Sequence, residues 1–283
     1  MVPSVSSGDL ADARAHLASG CPVSIDGLTN DIVPGARRLR RAVVLAVLAL
    51  IGGALDVAAG GLDRRLRVDP DTVPWRAIGK LQAVLENFRK TCTGTLVGPA
   101  LVLSAAHCLF NPRTGRFFPP GSVHFLIGYG GGRYVGHAVG TAVEIGAGYD
   151  PARSKETLGS DWALIRLNRE LGGGDRVLET LREPPPVGAA VALGGYQRNS
   201  PLALIADTDC RILGHAVDAN GRALVRHSCP GLPGLSGAPL LTEMGGTWRV
   251  AGVAVAAEPG IAGGLAALPD PAPVLGTHGA GPP

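Results

Sequence analysis

Leu101-Val102-Leu103-Ser104-Ala105-Ala106-His107-Cys108 is a short apolar run that closes on a histidine beside a cysteine. A run of this length reads as a buried strand, which leaves His107 at a strand end. Just upstream, Thr91-Cys92-Thr93-Gly94-Thr95-Leu96-Val97 offers a cysteine that can pair back to Cys108, and such a bridge would fix the imidazole. A lone histidine is more often a structural or surface residue than a catalyst. The decision rests on two further segments.

In Gly159-Ser160-Asp161-Trp162-Ala163-Leu164-Ile165-Arg166-Leu167, Asp161 stands where burial begins. Its ordinary role would be to end a turn before a strand. In Cys229-Pro230-Gly231-Leu232-Pro233-Gly234-Leu235-Ser236-Gly237-Ala238-Pro239, a serine is flanked by glycines that let backbone amides crowd it. An oxyanion hole needs two N–H groups aimed at one point, and the amides of Gly234 and Ser236 are the natural pair. The ordinary alternative is a Gly/Pro loop with a surface serine. Histidine, then aspartate, then serine, each in its own context, is far more specific together than any one alone.

Around these segments the chain reads as short apolar or alternating stretches at 95–97, 101–105, 123–127, 138–145, 162–167, 189–193, 202–213, 223–226 and 248–255. Turn chemistry separates them at 128–132, 172–174, 184–188 and 218–221, the last a good hairpin tip. With 42 glycines, 23 prolines and only 4% aromatics, the composition suits many short strands in a barrel or sandwich. Residues 258–283 are rich in Gly, Ala and Pro, with little to pack, and the end is expected to be disordered.

A net charge of +3 over 283 residues gives no single-sign field that would signal a nucleic-acid or membrane-surface partner. Arg37, Arg38, Arg40 and Arg41 precede an apolar run from Ala42 to Leu55, and Val57-Ala58-Ala59 supplies small residues at a cleavage point. That pattern is a secretory signal, here behind a long leader of residues 1–36. The run is shorter than the ~18 residues a membrane span requires, so cleavage is favoured over a signal anchor. Of five cysteines, Cys21 falls in this leader. Cys92, Cys108, Cys210 and Cys229 form two locally spaced pairs, as expected of an exported protein with two disulfides; reduced core cysteines are the alternative. The division expected is a leader and signal peptide at 1–59, a pro-segment or linker at 60–74, one domain at 75–267 and a tail at 268–283, with a maturation cut after the basic site Arg64-Arg65-Leu66-Arg67.

The three segments resemble the trypsin-like serine proteases. That family's T-A-A-H-C is matched at 104–108, its D-x-A-L at 161–164 and its G-x-S-G-x-P at 234–239, and the resemblance covers roughly residues 74–267. Within the family the short serine loop looks closest to the secreted bacterial branch that contains the glutamyl endopeptidases. The resemblance implies an all-β fold of two six-stranded antiparallel β-barrels with the active site in the cleft between them. It implies a serine endopeptidase acting on protein or peptide, with His107, Asp161 and Ser236 as the triad and no metal or organic cofactor. A catalytically inactive module that binds peptides or a partner is the alternative. An α/β-hydrolase esterase is disfavoured, because it would order the residues Ser, acid, His.

Departures bear on specificity. Where the digestive enzymes carry an aspartate before the serine, this chain has Leu235, and Ala238 replaces a Gly or Ser. The stretch from Cys229 to Leu235 holds no acid to meet Arg or Lys, and Ala254 stands where glutamyl endopeptidases place a histidine. The resemblance therefore implies a pocket of Leu232, Val253 and Ala254, suited to uncharged, small to medium apolar residues before the scissile bond.

Overall fold

The computed structural model describes residues 65–258 and 263–269. The expected signal segment, Cys21 and nearly all of the tail lie outside the described residues, and among the described residues no helix is long and apolar enough to cross a membrane. The first barrel comprises β1 (Ile78–Leu85), β2 (Phe88–Gly98), β3 (Leu101–Ser104), β4 (Val123–Ile127), β5 (Gly136–Ile145) and β6 (Ala163–Leu167). The second comprises β7 (Ala190–Tyr196), β8 (Leu204–Val217), β9 (Ala223–His227), β10 (Pro239–Met244), β11 (Thr247–Ala257) and β12 (Gly264–Ala267). Each barrel closes in the same antiparallel order, β2-β1-β4-β5-β6-β3 and β8-β7-β10-β11-β12-β9, the last strand pairing with the first. The expected two six-stranded barrels are thus present.

Closure joins the first and last strand of each sheet, and the inward side chains fill the interior. Leu96, Leu103, Phe125 and Ile165 are buried in the first barrel; Val191, Ile212, Val225 and Leu240 are buried in the second. Each such side chain contributes about 1.5–3 kcal/mol relative to exposure. Cys92 is bonded to Cys108 and Cys210 to Cys229, as the local spacing suggested. The first bridge ties β2 to the 3-10 turn Ala106–Leu109, and the second ties β8 to the strand end at β9. Asp218 builds the hairpin tip between β8 and β9 by accepting from the amides of Asn220 and Arg222.

Two elements were not read from the sequence. Residues 264–267, placed in a stretch with little to pack, form β12, and Ala266 and Ala267 are fully buried between β9 and β11. Small side chains are what this position requires, since an added methyl on Gly264 would lie 2.8 Å from Ala256 O. In the 60–74 linker, Leu66–Arg67 pairs antiparallel with β8 at the margin of the second barrel, so that this part is joined to the sheet.

Candidate active site

Each segment singled out in the sequence ends at the cleft for a local reason. β3 stops at Ser104, whose buried hydroxyl donates to Thr93 O at 2.7 Å, and the chain then turns into the 3-10 helix carrying His107. Asp161 follows the 3-10 turn Leu158–Ser160 and precedes β6. Its side chain is 2% exposed, against 24% for His107. The carboxylate holds the histidine at two points: Oδ2 lies 2.6 Å from the ring Nδ1, and Oδ1 accepts from the His107 backbone amide at 2.8 Å. Lys90 Nζ donates to His107 O, fixing the same residue from the other side.

Ser236 lies in a loop that only glycine permits at two positions. Gly234 has φ +101° and a Cβ there would come 2.4 Å from Tyr196 O; Gly237 has φ +78° and a Cβ would meet Ser104 Oγ at 2.2 Å. Three sets of contacts pin the loop. Thr93 donates its amide to Ser236 O and its hydroxyl to Gly234 O, while accepting from the Tyr196 amide. Gly237 donates to Ala254 O, and Ala254 donates to Ala238 O. Leu235, 3% exposed, is buried with Leu193, Leu240 and Ala254 in the second barrel's core, so apolar packing anchors the residue before the serine. Among the described residues the amides of Gly234 and Ser236 donate no hydrogen bond, and none joins Ser236 to His107. Catalytic contacts are commonly loose before substrate arrives.

Beside Ser236 opens a cavity of about 210 Å³ lined by Leu193, His227, Leu232, Leu235 and Ala254 through Ala257. Leu232 and Ala254 stand in its wall. Val253 does not line it: Val253 is packed in the main core, and the strand's contribution to the wall begins at Ala254, where its pairing with β12 is irregular between Ala254 and Ala256. His227 is the residue that sequence reasoning missed. It is 1% exposed, neither ring nitrogen makes a well-formed hydrogen bond, and burial pulls its pKa from 6.5 to about 4 against a poorly formed contact with the Cys229 backbone and the pull of the Glu258 carboxylate. Its only signal in the sequence was a histidine two residues ahead of Cys229. Cys92, His107 and Cys108 also converge, but the two sulfurs are bonded to each other and supply no thiolate for a metal.

A buried neutral histidine has a consequence for stability. Between pH 6.5 and about 4 the unfolded chain takes up a proton that the folded protein excludes, so stability is complete above 6.5 and falls with decreasing pH across that window. The loss expected from this group is about 3 kcal/mol. Urea denaturation at pH 4, 5, 6 and 7 should show the decline, and His227→Phe should flatten it; an equal slope in the variant rejects this origin.

Comparison with known proteins bears directly on this cleft. Residues 92–253 match the family model described as trypsin-like peptidase domain. The chain belongs to the trypsin-like peptidase family. This trypsin-like peptidase is 30% identical over 196 residues to the cercarial protease of Schistosoma mansoni, covering 58% of this chain and 70% of that one. It is 27% identical over 210 residues to transmembrane protease serine 5 of Homo sapiens, covering 66% of this chain and 44% of that one. Among solved structures it resembles a Glu endopeptidase with a TM-score of 0.60 and 17% identity, covering 73% of this chain and 91% of the other; that likeness is one of fold. As a trypsin-like peptidase it is a serine endopeptidase whose substrates are proteins or peptides.

Proposed function

We propose that the enzyme cleaves peptide bonds through Ser236, His107 and Asp161, with the amides of Gly234 and Ser236 as the oxyanion hole. The observation that carries this reading is the buried Asp161 holding His107 at two points, beside a serine loop whose two amides are unengaged. Ser236 Oγ attacks the carbonyl carbon and His107 Nε2 takes its proton. The oxyanion forms against the two amides, and the imidazolium then returns the proton to the leaving amine. Asp161 keeps the Nδ1–H tautomer and stabilises the charged ring. Water repeats the sequence on the acyl-enzyme. No step calls for a metal or cofactor. Two disulfides fit an exported protein in an oxidising compartment.

The cavity beside Ser236 supports a preference for uncharged, small to medium apolar residues before the scissile bond. Leu232 and Ala254 bring no charge, and burial keeps His227 neutral at physiological pH. An Arg, Lys or Glu side chain would enter unpaired at a cost of several kcal/mol. In peptides varied only at that residue, kcat/KM for Ala, Val or Leu should exceed that for Arg, Lys or Glu about 100-fold or more. Dominance of a charged residue overturns the pocket assignment.

An inactive binding module is the second reading, favoured by the missing Ser236–His107 hydrogen bond. Labelling with a fluorophosphonate probe followed by casein digestion separates the two. Labelling with proteolysis supports the triad; an unlabelled protein supports the binding module; labelling without proteolysis points to an esterase-like activity.

A further inference from the structure

We propose that a second cavity at Ser236, which shares only Pro233 and Ser236 with the apolar pocket, is a subsite for acidic side chains on the leaving-group side of the scissile bond. The inference rests on the reading of Ser236 as nucleophile. This cavity, about 620 Å³, reaches Gly234 and Ser236 and is lined by Lys80, Arg89, Lys90 and Arg198, with no aspartate or glutamate in its wall. Arg89 and Arg198 are exposed and make no ion pair among the described residues. The two lysines are engaged by neutral groups only. Lys80 Nζ donates to Pro201 O and lies 4.2 Å from the centre of the Tyr129 ring, and Lys90 Nζ donates to His107 O. Asp161 exerts a pull on Lys90, but both of its oxygens are already taken by His107. Four cations thus converge without a carboxylate bonded to any of them.

Direction follows from the two cavities. An extended substrate whose acyl-side residue enters the apolar pocket at Leu232 and Ala254 must leave Ser236 on the other side. The basic cavity is the other space that reaches Ser236 without the apolar walls, with Cys92 and Thr91 of β2 in its lining, and the leaving half is assigned to it. The leaving half of the peptide carries the new amino terminus and the residues after it, and an aspartate or glutamate among the first of these would meet a positive field. Burial already disfavours the charged form of Lys80 and Lys90, so an incoming carboxylate restores part of what desolvation removed. Because the arginines are exposed, the effect is moderate and screened by salt.

The test uses peptides with one fixed apolar residue before the scissile bond and Glu, Gln or Lys at the first, second or third position after it. At ~20 mM salt, kcat/KM for Glu should exceed that for the isosteric Gln about fivefold or more at one of these positions, falling toward parity at ~0.5 M. The double variant Arg89→Glu, Arg198→Glu should reverse the order to favour Lys. Each comparison is a ratio within one protein, so a general loss of activity does not affect it. A Glu to Gln ratio near one at all three positions, or a preference unchanged in the double variant, overturns the subsite while leaving the triad intact. Cleavage of none of the peptides overturns the triad reading and the subsite together.

Discussion

Ser236→Ala should lower kcat for peptide hydrolysis about 10⁶-fold, leaving only the ~10³–10⁴-fold advantage over water that binding and the oxyanion amides supply. The variant removes the attacking oxygen and little else. The loop around it is held by backbone bonds from Thr93 and by the buried Leu235, neither of which uses the Ser236 hydroxyl. Circular dichroism and the melting temperature should therefore match the parent. His107→Ala should be comparably inactive, since a hydroxyl without its base does not attack. The double variant should be no worse than either single one, because the two residues serve a single step. Steady-state kinetics on a peptide, with fluorophosphonate labelling alongside, measures all three. Substantial turnover by Ser236→Ala rejects this serine as nucleophile.

The residues proposed for chemistry were legible because each sits where an apolar pattern breaks. His107 closes an apolar strand, Asp161 opens one, and Ser236 lies in a Gly/Pro loop between two. The barrels were legible as a class for the same reason, through short runs parted by turns. Strand β1 was not, because Lys80 and Gln82 interrupt its apolar residues. Lys80 is only 6% exposed, however, its stem covered and its ammonium bonded to Pro201 O. β12 was missed because a Gly/Ala stretch carries little hydrophobic signal, yet small residues are what fit between two closely packed strands.

Contacts between segments distant in sequence were the least legible. Thr93 bonds to residues more than a hundred positions away, and nothing in its neighbourhood announces this. The same holds for His227, which meets Ala254 at one cavity only because β9 and β11 both flank β12. Val253 was assigned to the pocket with Ala254 because they are neighbours in sequence; the strand reaches the cavity only from Ala254 onward, where its pairing becomes irregular.

Asp161→Asn should lower kcat about 10⁴-fold while leaving the fold unchanged. The two-point attachment of His107 explains why so small a change does so much. The His107 backbone amide is always a donor and needs an acceptor, which Oδ1 provides at 2.8 Å. In the variant the asparagine must present its single oxygen there, and its NH₂ then faces ring Nδ1, where the carboxylate oxygen stood at 2.6 Å. Two donors cannot face each other, so Nδ1 gives up its proton and the ring proton moves to Nε2. That nitrogen is the one required to accept from Ser236. Rotating the amide does not rescue the site, because the NH₂ would then oppose the backbone amide at a buried position, at a cost of about 1–3 kcal/mol. Ring-nitrogen NMR of the variant should therefore show the Nε2–H tautomer together with the kinetic loss. A variant that keeps the Nδ1–H tautomer, or whose activity stays within about tenfold of the parent, shows that the Asp161 carboxylate does not set the state of His107.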